Sequence, residues 1–147
     1  MKIVSFDYQD RRRVRQFLKF PFPIYKDNQQ WVPPLETDAQ HMLDPDRNPF
    51  FKHGEALFLL ALDDGGSVHG RLAVLENRKY NQYNHRCTAF FYLFECERDV
   101  EAAQALFETG FDWAKRRGLD TIIGPKGFTP LDGFGLLVKG FQHRPAL

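Results

Sequence analysis

Apolar positions along the chain fall into two kinds of run. Glu55–Leu62 (EALFLLAL) and Thr88–Glu95 (TAFFYLFE) are apolar at nearly every position, which predicts strands buried on both faces. Val68–Glu76 (VHGRLAVLE) puts Val68, Leu72 and Val74 on one face. The intervening DDGGS (Asp63–Ser67) is a hairpin signal, because paired glycines supply positive φ. Two other stretches space their apolar residues as helices do. One carries Val14, Phe17 and Leu18 behind a capping Asp7 or Asp10, and Pro21 and Pro23 stop it. The second places Ala103, Leu106, Phe107 and Phe111 inward, collects Lys115, Arg116 and Arg117 at its end, and closes at Gly118. Short strands at Met1–Phe6, near a sheet edge, and at Thr121–Gly124 complete the set.

Two polar or irregular segments interrupt this pattern. Pro21–Phe51 holds six of the nine prolines together with Tyr25 and Trp31, and one short helix fits from about Pro34 to Leu43. A connection this long usually serves binding. Asn77–Arg86 (NRKYNQYNHR) reads as a polar crossing between strands. The order of elements predicts an α/β domain with a mixed, mostly antiparallel central sheet flanked by helices. The hairpin is antiparallel, and the strand from Thr88 joins the strand at Thr121 through a helix, as a right-handed parallel crossover.

Composition narrows the function. At 147 residues the chain is one domain with a single core, and fifteen phenylalanines predict an aromatic interior. A net charge of +1 gives no long-range pull toward nucleic acid or membrane. RRRVR (Arg11–Arg15) is best read as a solvated helix face. No apolar stretch approaches the ~20 residues that span a bilayer. The five histidines are scattered without ligand spacing, which argues against a metal site. Cys87 and Cys96 sit in one extended segment, on the order of 30 Å apart and beyond disulfide reach. A reduced, cytoplasmic setting is the simplest expectation.

Several words in the chain go further. WVPPL (Trp31–Leu35), NPFF with His53 close behind, GRLAVLEN (Gly70–Asn77), FFYLFECERD (Phe90–Asp99), WAKRRG (Trp113–Gly118), IIGP and GLLVKGF (Gly135–Phe141) together resemble the acetyl-CoA-dependent N-acyltransferases of the GNAT superfamily. More closely, they resemble the amino-terminal half of an uncharacterised family of longer GNAT-like proteins. The resemblance covers nearly the whole chain. It implies a single GNAT-like domain over 1–147, with its last strands missing or completed by a partner, since only QHRPAL follows GLLVKGF.

The resemblance also implies a chemistry. Acyl-CoA would lie against the strand end at Leu93 and Phe94, with its pyrophosphate on the following loop and helix start at Arg98, Val100, Glu101 and Ala103. An amine would then attack the thioester, with Glu95 as general base and Tyr25 and Trp31 lining the acceptor site. Two positions depart from the superfamily pattern. Glu101 stands where the loop requires glycine, bringing a carboxylate to an anion site. Leu136 falls where a proton-donating tyrosine is usual. The expectation is therefore an acyltransferase fold with a degenerate pyrophosphate loop, weak or absent catalysis, and a structural or ligand-binding role. The alternative is an active N-acetyltransferase for an unidentified amine. Acetyl-CoA, a small amine, and a second GNAT-like domain or another copy of the chain are the partners implied.

Overall fold

The structure is a computed structural model that describes residues 1–143; the last four residues of the QHRPAL tail lie outside the described part. Strand β1 (Lys2–Phe6) leads to helices α1 (Arg11–Lys19), α2 (Pro21–Tyr25) and α3 (Glu36–Leu43), then to a 3-10 turn at Pro49–Lys52. Next come β2 (Gly54–Leu62), β3 (Val68–Asn77), α4 (Arg78–Asn84), β4 (Thr88–Cys96), α5 (Val100–Arg116) and β5 (Thr121–Ile123). The five strands lie side by side in chain order. All neighbours are antiparallel except β4 and β5, which run parallel across the α5 crossover.

The sheet is covered on both faces, so β2 can be apolar throughout. On one face Phe58, Leu60 and Leu62 meet Val14, Phe17, Leu43, Phe50 and Phe128. On the other, Leu59 and Ala61 join Leu72, Val74 and Ala89 under Ala102, Leu106 and Ala114 of α5. The same double burial holds in β4 only for Thr88–Phe90; from Phe91 to Cys96 the strand is half-buried.

Helix α5 is rotated from its expected face. Ala102, Leu106, Gly110 and Ala114 are buried, whereas Ala103 and Phe107 are half-buried and Phe111 is exposed. Close packing explains the rotation. A Cβ on Gly110 would come within 2.9 Å of Val74 Cγ2, so a stripe of small residues lets the helix settle directly on β3. Phe107 is pushed to the flank, where it meets Phe91 and Phe94 at ring-centroid distances of 5.1 and 4.9 Å.

Two other expectations change. The polar crossing is helix α4, capped by the Asn77 side chain on the Tyr80 amide and closed by His85 at φ 51°. It carries no fully buried residue; Tyr80 packs its ring on Phe90 at 4.9 Å. Pro21 does end α1, but it also starts α2, since proline is favoured at a first helical position. Asp10, rather than Asp7, caps α1 through the Arg13 amide. Cys87 and Cys96 are both free thiols.

His69 ties the hairpin to the corner between β4 and α5. Its Nε2 lies 3.3 Å from Asp63 Oδ2 and its Nδ1 lies 2.9 Å from Glu97 Oε2. The contact with Asp63, helped by the charge of Glu97, raises the His69 pKa above 6.5. Asp63 is lowered below 3.8, first by the Ser67 amide and then by His69.

Two outcomes are expected. Gly110→Val, which adds bulk against Val74, should cost ~1–3 kcal/mol, read from the shift of the urea midpoint. The His69 contribution should be fully present below pH 6.5, the ordinary histidine value, and fade as pH rises through its raised folded value. Urea midpoints across pH should therefore fall less steeply on the alkaline side in His69→Gln; parallel profiles would show that the contact is not felt.

Candidate functional site

The site begins with one extra residue in β4. Pairing runs from Ala73↔Tyr92 to Arg71↔Glu95, so two steps on β3 match three on β4. The surplus is absorbed at Leu93, whose φ is +53°, a left-handed value that β-bulges accommodate. Side-chain parity flips there. Ala89 and Phe91 face α5, Tyr92 and Leu93 both pack on the opposite face, and Phe94 and Cys96 return to α5. Glu95 consequently points to the face of α1 and α2. Without the bulge it would have pointed at α5.

On that face Glu95 meets two groups from distant parts of the chain. The Tyr25 hydroxyl at the end of α2 donates to Glu95 Oε2. Arg71 Nη2 lies 3.8 Å from Glu95 Oε1, while its Nη1 donates to the Phe17 carbonyl at 2.7 Å. The guanidinium also stacks over the Phe17 ring at 5.0 Å. Arg71 is buried, and its Nε is the one buried side-chain polar atom without a partner among the described residues. Burial pulls the Arg71 pKa down to about 10, against the opposing pull of Glu95, so it remains a cation at neutral pH. Burial, then the bond to Glu95, drives the Tyr25 pKa upward, and the ring stays a phenol.

Tyr25 and Glu95 open into a cavity of about 620 Å³ shared with Trp31, Val32, Leu137 and Phe141. Trp31 is fixed there by Tyr25 and Phe22, with ring centroids 5.3 and 5.1 Å away. The structure thus gathers Tyr25, Trp31 and Glu95 around one space. Leu136 does not line it and is exposed. Arg71 and the apolar pair Leu137 and Phe141 were not singled out from sequence. Arg71 left a trace, a lone charge inside the apolar GRLAVL, on the strand face opposite Leu72 and Val74.

The remaining candidates lie at the start of α5. Phe94 packs into the α5 flank, and Arg98 and Val100 are exposed. Asp99 caps the helix, its side chain accepting from the Ala102 amide at 3.0 Å and its carbonyl accepting from the Ala103 amide. The amides of Val100 and Glu101 have no partner among the described residues. The Glu101 side chain is 82% exposed and its carboxylate lies 3.9 Å from the Met1 amine. Of the four acids clustered in this sequence, Glu95 faces the cavity, Glu97 is held by His69 and Asp99 is spent on the cap. Glu101 alone stays exposed in the first turn of α5, near the Met1 amine. Among the described residues no group of three or more His, Cys, Asp or Glu is placed to hold a metal, and no helix is long and apolar enough to cross a membrane.

No model of a known protein family matches the chain. Among curated proteins it is 28% identical over 132 residues to the bacterial ceramide synthase of Caulobacter vibrioides, covering 90% of this chain and 34% of that protein. It is 25% identical over 138 residues to Protein YghO of Escherichia coli K12, covering 94% of this chain and 35% of that one. The chain therefore spans about a third of the length of these relatives. Among solved structures, a tandem GNAT protein from the clavulanic acid biosynthesis pathway superposes with a TM-score of 0.62 at 18% identity, over 79% of this chain and 33% of that one. A GNAT-family acetyltransferase of Staphylococcus aureus Mu50 gives 0.60 at 14% identity, over 84% and 72%. An aminoglycoside acetyltransferase from an uncultured soil metagenomic sample gives 0.59 at 14% identity, over 83% and 74%. With its mostly antiparallel five-strand sheet and α5 crossover, this chain has the fold of the GNAT acyltransferases.

Proposed function

We propose that this domain is a GNAT-fold ligand-binding unit that takes acyl-CoA weakly and has little or no acetyltransferase activity of its own. The start of α5 carries this reading. Val100 and Glu101 offer free amides at the positive end of a helix of 17 residues, which suits a pyrophosphate. The backbone therefore fits the group. Two features oppose it: Asp99 already occupies the Ala102 amide, and the Glu101 carboxylate puts negative charge in the first turn. Bound acyl-CoA would supply the thioester, and Val100, Glu101 and Arg98 would be the residues nearest its pyrophosphate. Leu93 and Phe94 at the bulge, with Ala103 in the first turns of α5, complete the proposed contact set.

A role as one part of a larger assembly belongs to the same reading. It is supported by the span of about a third of the curated relatives and by the likeness to a third of a tandem protein's chain. The side of β5 that has no neighbouring strand among the described residues, and the exposed apolar residues Leu131, Phe134 and Val138, suit contact with a second GNAT-like domain or another copy.

One observation favours a second reading, an active N-acyltransferase. Glu95 and Tyr25 stand together at the cavity, so a base for the attacking amine and a phenol for the leaving thiolate are both present. The name of the Caulobacter relative, a ceramide synthase, is consistent with N-acylation of an amine.

Thermal shift with acetyl-CoA separates the readings. Saturation at 100 times Kd would add ~2.7 kcal/mol, and the expected result is a small rise that does not saturate in the low millimolar range. Glu101→Gly should tighten binding by roughly fivefold, the size of one helix-terminus charge. A tight, saturable shift in the unaltered chain, with acetyl transfer to an added amine, would replace the first reading with the second.

A further inference from the structure

The cavity at Glu95 has a lining that selects a ligand class. Glu95 is its one carboxylate among the described residues, with a side chain only 22% exposed and set beside the half-buried Tyr25 hydroxyl. Its two oxygens each have one neighbour, Tyr25 on Oε2 and Arg71 near Oε1. A carboxylate offers about four acceptor positions, so further donors can be received from the cavity. Around it stand the rings of Tyr25 and Trp31, then Val32, Leu137 and Phe141. Aromatic faces beside a carboxylate attract an ammonium group, and the aliphatic wall beyond them attracts a hydrocarbon.

Other ligand classes fit less well. An anion would be repelled by Glu95 beside Tyr25 and Trp31, although Lys139 and His143, exposed on the same segment as Leu137 and Phe141, also line the space. A wholly apolar molecule would strip water from Glu95 without offering it a donor, which is costly for a charged group. A small hydrophilic amine would leave most of the 620 Å³ and its apolar wall unused.

We propose that this cavity binds a primary amine with an apolar body, the ammonium on Glu95 and Tyr25 and the hydrocarbon along Trp31, Val32, Leu137 and Phe141. This assignment rests on the reading of the domain as a ligand-binding acyltransferase fold, and names the amine side of that site. Arg71 is a positioning residue. It lies behind the cavity, anchored to the Phe17 carbonyl, and holds the Glu95 carboxylate in place.

The test is a calorimetric titration of the full chain, without acetyl-CoA, using n-octylamine, n-octanol and n-butylamine below micelle-forming concentrations. Leaving acetyl-CoA out keeps a failure of cofactor binding from affecting the result. Octylamine should bind about tenfold or more tighter than octanol, the worth of a hydrogen bond to a charged group. It should exceed butylamine by at least ~tenfold, from four added methylenes. Glu95→Gln should bring octylamine and octanol within about twofold of each other. Should Glu95→Gln fail to fold, Tyr25→Phe keeps the ring on Trp31 and the Glu95–Arg71 contact. It should weaken octylamine roughly fivefold while leaving octanol unchanged. Equal affinity for octylamine and octanol, a preference that survives Glu95→Gln, equal losses in Tyr25→Phe, or butylamine binding as well as octylamine would each overturn the proposal.

Discussion

The bulge at Leu93 is the constraint on which the site depends. A strand alternates its side chains with a period of two, so one surplus residue sends everything after it to the opposite face. In β4 that displacement moves Glu95 away from α5 and into the company of Tyr25 and Arg71. The same step leaves Tyr92 and Leu93 side by side on one face. The left-handed backbone of a leucine costs about 1–2 kcal/mol. The surrounding double-sided core, with Leu72 and Val74 against α5 and Ala73 and Leu75 against the other layer, holds the strand in that shape.

The chemistry of the α5 start is a balance between backbone and side chains. The helix dipole and two free amides invite an anion, while Asp99 and Glu101 answer the same positive end internally. His69 matters here because it draws Glu97 out of this balance and toward the hairpin. Four neighbouring acids in the sequence thus become four separate situations in space. Counting their charges together overstates the repulsion an incoming phosphate would meet.

Much of the architecture was legible because burial on both faces writes itself plainly into the chain. The apolar run at Glu55–Leu62, the start of the run at Thr88–Glu95, the glycine hairpin and a cap near Asp10 all have local signatures. The failures have local causes too. The buried face of α5 departs from the one its large aromatics predict, because Gly110 and the alanines let the helix approach the sheet. Helix α4 was hidden because it buries no residue fully and so shows no apolar period. At the site, Tyr25, Trp31 and Glu95 were visible as separate candidates. Their convergence was not, since it depends on a bulge with no glycine to mark it and on a separation of 70 residues between Tyr25 and Glu95. Arg71 was missed for a similar reason: its partners are a backbone carbonyl in α1 and a side chain in β4.

Arg71 does more than orient one carboxylate. Phe17 belongs to α1, Arg71 to β3, Glu95 to β4 and Tyr25 to α2, and the bonds among them close a circuit around the corner where α1 turns into α2. Such a closed circuit makes the wall of the cavity and the packing of the first helix a single mechanical unit. The ordering cost of the wall is then met during folding, and a ligand arriving later finds it already set. Changes at Phe17, Arg71, Glu95 and Tyr25 should accordingly couple rather than add, even though the residues are scattered over most of the chain.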